Sequence, residues 1–310
     1  MTKGVPVNLA GYQGPGSVMT QALRTFGEEL ARVDASWLVQ IEDDVTRRGL
    51  SARSLFDGIE AGDVQAGYMA SGYLSERVPE LALLDLPFSV HDRQRALHAL
   101  AGPSGQRLAE AVADQTELMV LSFWDNGFRH LSNCKHPIHD PDDCRGMRIR
   151  TLDSEGYRAT MRALGFLAVS LDVSELRQAV ADHRVDAQEN PLANFVGFEL
   201  WRHHGHVSLT GHLFGVVLQV CHRPWFEALT TAQGQAVRAA ATMAAHRQHA
   251  LAACEDARAL AVLAEHHVQV VPADQIDLAA MRTCCEPMLA HARAFGDPLA
   301  MAGYLQQAPR

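Results

Sequence analysis

Short apolar runs alternate with stretches of helical periodicity along the whole chain. Apolar runs of strand length fall at residues 5–10, 37–42, 64–69, 118–124, 147–152, 167–171, 207–210, 214–220 and 268–271. Helical patterns fill the gaps between them. Residues 19–33 place Ala22, Leu23, Phe26, Leu30 and Val33 on one face at steps of three and four. Asp172-Val173-Ser174-Glu175 reads as a capping box that opens a helix over 175–182. Strand and helix in steady alternation predict an α/β fold whose sheets are covered by helices.

The pattern changes after Thr231. Residues 231–266 lack proline and are rich in alanine. Val237, Ala241 and Ala244 keep one apolar face, Gln248 interrupts it, and Leu251 resumes it. The run is either two helices with a break or one helix of about 50 Å, longer than a single lobe of this size needs. No low-complexity linker separates two halves, so two lobes would be joined by a chain that crosses between them more than once.

Composition narrows the class. Hydrophobic residues form 47% of the 310, enough for a well-buried core. The formal charge is −9, from 27 basic and 36 acidic residues, which disfavours nucleic acid or an anionic membrane surface as partner. An anionic ligand would have to be gripped by a few local arginines against the overall field. No apolar run reaches membrane-spanning length. The first eight residues carry no secretory signal, which leaves open an internal location or a signal already removed. The six cysteines, Cys134, Cys144, Cys221, Cys254, Cys284 and Cys285, form no Cys-x-x-Cys pair, so they read as isolated thiols. Cys134 and Cys144 are the one candidate disulfide in an oxidising compartment.

The segment 124–191 carries the candidate chemistry. It opens with Trp124-Asp125-Asn126-Gly127-Phe128-Arg129-His130, continues through Gly146-Met147-Arg148-Ile149-Arg150 and ends in Asp186-Ala187-Gln188-Glu189-Asn190-Pro191. Arg150 follows a strand pattern, Gly127 reads as the end of another, and Asn190 stands at a sharp stop before proline. Arginines at strand ends of an α/β fold project into the ligand crevice. Two guanidinium groups and an amide make a trap for a carboxylate, whose two oxygens match the planar fork of arginine. As cleft groups, both arginines should matter more to the ligand than to the fold. Gln188 and Glu189 read as parts of the crevice wall.

Those motifs, with Val78-Pro79-Glu80-Leu81, Asp85-Leu86-Pro87-Phe88, Trp225 and a helix opening at Gln233, resemble the solute-binding proteins of tripartite ATP-independent periplasmic (TRAP) transporters, the DctP family. The resemblance covers nearly the whole chain, with Ala187 in place of the usual glycine. It implies a two-lobed periplasmic-binding-protein-like α/β fold with crossing segments and a long lobe-spanning helix. The expected division is 1–127 plus 214–253 for one lobe and 128–213 plus 254–310 for the other. Arg150 would grip the ligand carboxylate, with Arg129 as second arginine and Asn190 completing the clamp. Tyr12 and Gln13, in the first βα turn, and Ser71 and Tyr73, after the third strand, would face the ligand from the opposite lobe. Asp153 reads equally as a helix cap or a contact, and Trp124 and Phe214 as core or pocket lining. The implied role is extracytoplasmic capture of a small monocarboxylate, a sugar acid or an aromatic or 2-oxo acid, by lobe closure. Delivery to the membrane permease follows, by a periplasmic monomer with no cofactor.

Other classes fit less well. His203, His204, His206 and His212 cluster, but on a loop-to-strand run their side chains diverge and no carboxylate pair sits at ligand spacing, so no metal is expected. The chain has no Gly-x-Ser-x-Gly elbow, His-Glu-x-x-His or phosphate loop, which argues against an enzyme acting on an organic acid. A ligand sensor using the same clamp is the remaining alternative.

Overall fold

The computed structural model describes residues 5–33 and 36–305. The strands are β1 (Val5–Ala10), β2 (Trp37–Glu42), β3 (Ala66–Ala70), β4 (Leu118–Asn133), β5 (Arg148–Thr151), β6 (Leu167–Ser170), β7 (Ala187–Pro191), β8 (His206–His222) and β9 (Gln269–Val271). The helices are α1 (Val18–Val33), α2 (Ala52–Ala61), α3 (Arg93–Leu100), α4 (Pro103–Gln115), α5 (Glu155–Ala163), α6 (Val173–Ala181), α7 (Leu192–Gly197), α8 (Arg223–Glu227), α9 (Thr231–Glu265), α10 (Leu278–Phe295) and α11 (Pro298–Met301). One mixed sheet runs in the order β2-β1-β3-β8-β4-β7-β5-β6, with β9 on the start of β8.

The two long antiparallel strands tie the lobes together. The end of β8 pairs with β3, and its start with β9. The first half of β4 runs beside that end of β8, while its last five residues pair with β7. One buried core therefore gathers around β1, β3 and α1, and further cores gather around β5 and α10 and around α6 and α7. The result is a two-lobed α/β fold crossed by β4, β8 and α9.

Short apolar runs locate most strands within two residues, and the differences have physical causes. Gly127 does not end a strand. It lies inside β4 with φ of 85°, at a register shift between Asp125 and Gly127, so the ladder bends and continues. The runs 207–210 and 214–220 are one strand, carried through Gly211 at φ 51°. β7 has no apolar signal because its buried side chains are Gln188, Glu189 and Asn190, each satisfied by a polar partner. The expected capping box at Asp172 is half formed. Asp172 accepts from the Ser174 N–H at 2.9 Å, while Glu175 turns to Arg184 at 3.5 Å.

The run after Thr231 is a single helix of 35 residues. Thr230 and Gln233 cap it reciprocally. Ala240, Ala241 and Ala244 pack in the first core, and Ala259 and Leu263 in the far one. Gln248 is not a break. It is fully buried, accepts from the Asp125 N–H at 2.8 Å and donates to the Asp125 carbonyl at 2.7 Å. The polar residue on the apolar stripe thus clasps the helix to β4 at its bend.

The cysteines are isolated thiols, as their spacing suggests, and the candidate disulfide is not formed. Cys134 and Cys144 are free thiols, Cys144 being enclosed in the core beside Ile138 and Met147. After 254 the end of α9 and α10 pack in the further cores. α11 and Tyr304 return to the first core, where Ser104 donates to the Leu299 carbonyl at 3.4 Å and Arg107 pairs with Asp297 at 2.7 Å.

Candidate functional site

The second lobe supplies the arginines. Arg150 sits mid-ladder in β5, opposite Val169 and Gln188, and is 1% exposed. Its Nε and Nη2 both donate to the Leu171 carbonyl, at 2.9 and 2.7 Å. Among the described residues no Asp or Glu forms an ion pair with it. Burial pushes the hydroxyl of Tyr73, in the first lobe, up to about 12, against the lowering influence of the Arg150 charge.

Arg129 is in a different state. Its Nε donates to Glu189 Oε2, and its Nη2 to Glu189 Oε1 at 2.9 Å, the Glu189 carbonyl at 2.8 Å and Asn190 Oδ1 at 3.2 Å. Both side chains of this pair are enclosed. Burial disfavours the Glu189 charge, yet Arg129 and the nearby His212 outweigh it and hold the carboxyl at about 2. The Arg129 charge is opposed by burial and kept by Glu189. Asn190 is engaged at both ends, accepting from Arg129 and donating to Gln188 Oε1 at 2.6 Å. Sequence reasoning placed Arg129 on the ligand and missed that the next motif supplies its counter-ion.

The first lobe contributes the turn after β1. Tyr68 holds it, accepting from the N–H groups of Tyr12 and Gln13 at 3.3 and 3.2 Å. A Cβ at Gly11 would sit 2.6 Å from the Tyr68 ring, so the close approach needs glycine. Tyr12 packs edge-on to Tyr73 with ring centres 6.3 Å apart. A cavity of about 660 Å³ opens from this turn, lined by Tyr12, Gln13, Asn126, Val173, Pro191 and Asn194 among others. Arg150, Arg129, Asn190 and Tyr73 are not among the residues that line it.

The remaining sequence candidates separate from the cavity. Ser71 is buried and donates to Asp85 Oδ1 at 3.2 Å. Trp124 is enclosed against Tyr68, with ring centres 5.8 Å apart, and its indole N–H meets no acceptor among the described residues. Phe214 is enclosed against Phe128 at 5.2 Å. Asp153 neither caps a helix nor lines the cavity. Ser154 occupies the cap position of α5, and Asp153 pairs with Arg158 at 2.7 Å and Arg53 at 3.7 Å. Of the histidines, His204 Nδ1 lies 3.0 Å from Ser132 Oγ and His212 Nδ1 2.8 Å from Thr210 Oγ1, so these two are used by separate partners. Asn126, which sequence reasoning passed over, lines the cavity while its amide makes no hydrogen bond to a described residue.

Residues 11–294 match the model of the bacterial extracellular solute-binding protein, family 7. A solute-binding protein of Verminephrobacter eiseniae is 30% identical over 76% of this chain and 70% of its own. The 2,3-diketo-L-gulonate-binding periplasmic protein of Escherichia coli is 27% identical over 71% of this chain and 67% of its own. Among solved structures, a TRAP periplasmic solute-binding protein from Polaromonas sp. JS666 bound to D-erythronate superposes with a TM-score of 0.91 at 24% identity, covering 98% of this chain and 100% of that one. Two lobes crossed by β4, β8 and α9, with a match over nearly the whole length, place the chain in the DctP family of TRAP-transporter solute-binding proteins.

Proposed function

We propose that this protein captures a small organic monocarboxylate of the sugar-acid type outside the cytoplasm and delivers it, as a periplasmic monomer, to the permease of a TRAP transporter. One observation carries the reading: Arg150 is a buried cation with no carboxylate partner among the described residues. A buried charge without a counter-ion is costly, and a ligand carboxylate removes that cost. Arg129 is already neutralised by Glu189, so the clamp offers one net positive charge. That favours a monoanion over a dicarboxylate. In this reading Arg150 grips the carboxylate, while Arg129 and Asn190 shape its seat. Tyr73, Tyr12 and Gln13 close over the body.

The body of the ligand is read as hydroxylated. The Asn126 amide, which lines the cavity without a hydrogen bond to a described residue, can bond hydroxyls, whereas Trp124 and Phe214 are enclosed against Tyr68 and Phe128 rather than arranged as a slot for a ring. The relatives named for diketogulonate and D-erythronate bind acids of this kind. The mechanism is binding with closure. The ligand shifts the open–closed equilibrium by its greater affinity for the closed form, and closure strengthens the ion pair by excluding water. The test is a calorimetric screen of aldonates, uronates, succinate, an aromatic 2-oxo acid and neutral sugars. The expected result is tightest binding of a hydroxylated monocarboxylate. At about 100 times its dissociation constant, the hit should add roughly 2.7 kcal/mol to stability. Binding confined to amines or neutral sugars overturns the reading.

A further inference from the structure

A polar seam joins the lobes outside the ligand cavity. Arg158 on α5 reaches across to Glu76, which follows the first-lobe turn Ser71–Tyr73, at 2.7 Å. Within its own lobe Arg158 is held by Asp153 at 2.7 Å, Glu155 at 2.8 Å and Ser170 Oγ at 3.1 Å. Its guanidinium is therefore oriented before the lobes meet, and little side-chain entropy is lost on reaching Glu76. Beside it, Arg53 of α2 approaches Asp153 at 3.7 Å. The Asp172 carboxylate caps α6 and also lies 3.4 Å from the Ala52 N–H, the first of α2. Two helix N-termini, one from each lobe, thus converge on one carboxylate, where their dipoles favour negative charge. None of these residues lines the cavity.

These cross-lobe contacts exist only while the lobes are together, so each adds weight to the closed form alone. We propose that Arg158, with Asp153 and Asp172, is an inter-lobe clasp that sets ligand affinity from outside the pocket by biasing closure; this rests on the reading of the chain as a closing binding protein. These are positioning residues. They touch no ligand and act through the geometry they hold.

Glu76→Gln tests it cleanly, because Glu76 makes its ion pair with Arg158 across the crevice and not within its own lobe. Labels introduced on α2 and α6 through an unnatural amino acid would report the inter-lobe distance without ligand. Calorimetry and stopped flow with the best acid of the screen would report affinity and rates. The expected result is a shift of the unliganded protein toward longer distances and about two- to fivefold weaker binding. The loss should lie mainly in faster dissociation, with an unchanged melting temperature. In 0.5 M salt the parent should move toward the variant, since exposed pairs are screened. If the parent binds the acid and Glu76→Gln leaves affinity, distances and salt response unchanged, the clasp is overturned and the pocket reading stands. If the parent binds no acid yet the distance shift appears, the clasp stands and the pocket reading falls.

Discussion

At the scale of single residues, two arginines that look alike in sequence play opposite parts. Arg150 is buried against a backbone carbonyl with no counter-ion among the described residues, so removing it should relieve the unliganded protein and cripple the liganded one. Arg150→Ala should weaken acid binding by about 2–5 kcal/mol while leaving the ligand-free melt unchanged or raised. Lysine should restore only part, having the charge but not the planar fork. Arg129→Ala should instead destabilise the fold by about 3–5 kcal/mol, because Glu189 is left buried and unpaired. Titration of each variant beside its urea melt separates the cases. Equal melts for the two alanine variants would show that the Arg129–Glu189 pair is not structural. The sequence singles out Arg150, Arg129 and Asn190, but not that Arg129 is paired with Glu189 while Arg150 faces a backbone carbonyl. Nothing in local spacing says that Glu189, one residue before Asn190, turns onto Arg129 some sixty positions earlier. Likewise the serine expected at the ligand, Ser71, is held by Asp85, a partner in a different motif.

At the scale of elements, apolar periodicity reads what buries apolar faces and misses what buries polar ones. β1 and β2 match their apolar runs, whereas β7 escaped notice because its buried face is amide and carboxylate. Gly127 misled, since it bends β4 without ending it, and Gly211 lies where two apolar runs join as β8. Gln248 has the same lesson for α9. A polar residue on an apolar stripe is the mark of either a break or a buried polar partner, and only tertiary structure supplies the partner. Its amide satisfies both backbone groups of Asp125 at the bend of β4. Gln248→Leu keeps the volume and removes both bonds, leaving a buried N–H and carbonyl unpaired. The expected cost is about 2–4 kcal/mol in a urea melt, with helical circular dichroism retained. A cost below about 0.5 kcal/mol would show that the clasp adds nothing to helix docking.

At the scale of the whole molecule, the junction of the lobes holds a buried acid whose titration couples stability to pH. Asp85 lies in the first lobe and is 1% exposed. Ser71 donates to its Oδ1 and Ser154, from the second lobe, to its Oδ2, each at 3.2 Å. Arg129 on β4, Tyr157 on α5 and Tyr304 beyond α11 lie within electrostatic reach. Burial raises the carboxyl from its ordinary 3.8 to about 7, against the lowering influence of Ser75, Ser154, Ser71 and Arg129. A raised folded-state pKa means that the native state binds a proton that the unfolded chain has released. Its contribution is therefore complete at low pH and is lost as pH rises from about 4 through about 7. Asp125, raised to about 6 by burial, acts in the same direction. His130 and His204, lowered to about 3 by burial, act oppositely, because the unfolded chain binds their protons below its own pKa. The net curve of the parent mixes these groups, so the informative quantity is a difference between two proteins. Asp85→Asn keeps the shape and the hydrogen bonds to the serines while removing the titration. Its stability relative to the parent should grow between pH 4 and 7 and stay level above, reaching a few kcal/mol in favour of the variant. Melts of both proteins at half-unit steps from pH 4.5 to 8.5 measure this. A difference that is flat with pH, or that grows toward acid, would mean that Asp85 is ionised in the folded protein and that the three serines carry a buried charge rather than a neutral acid.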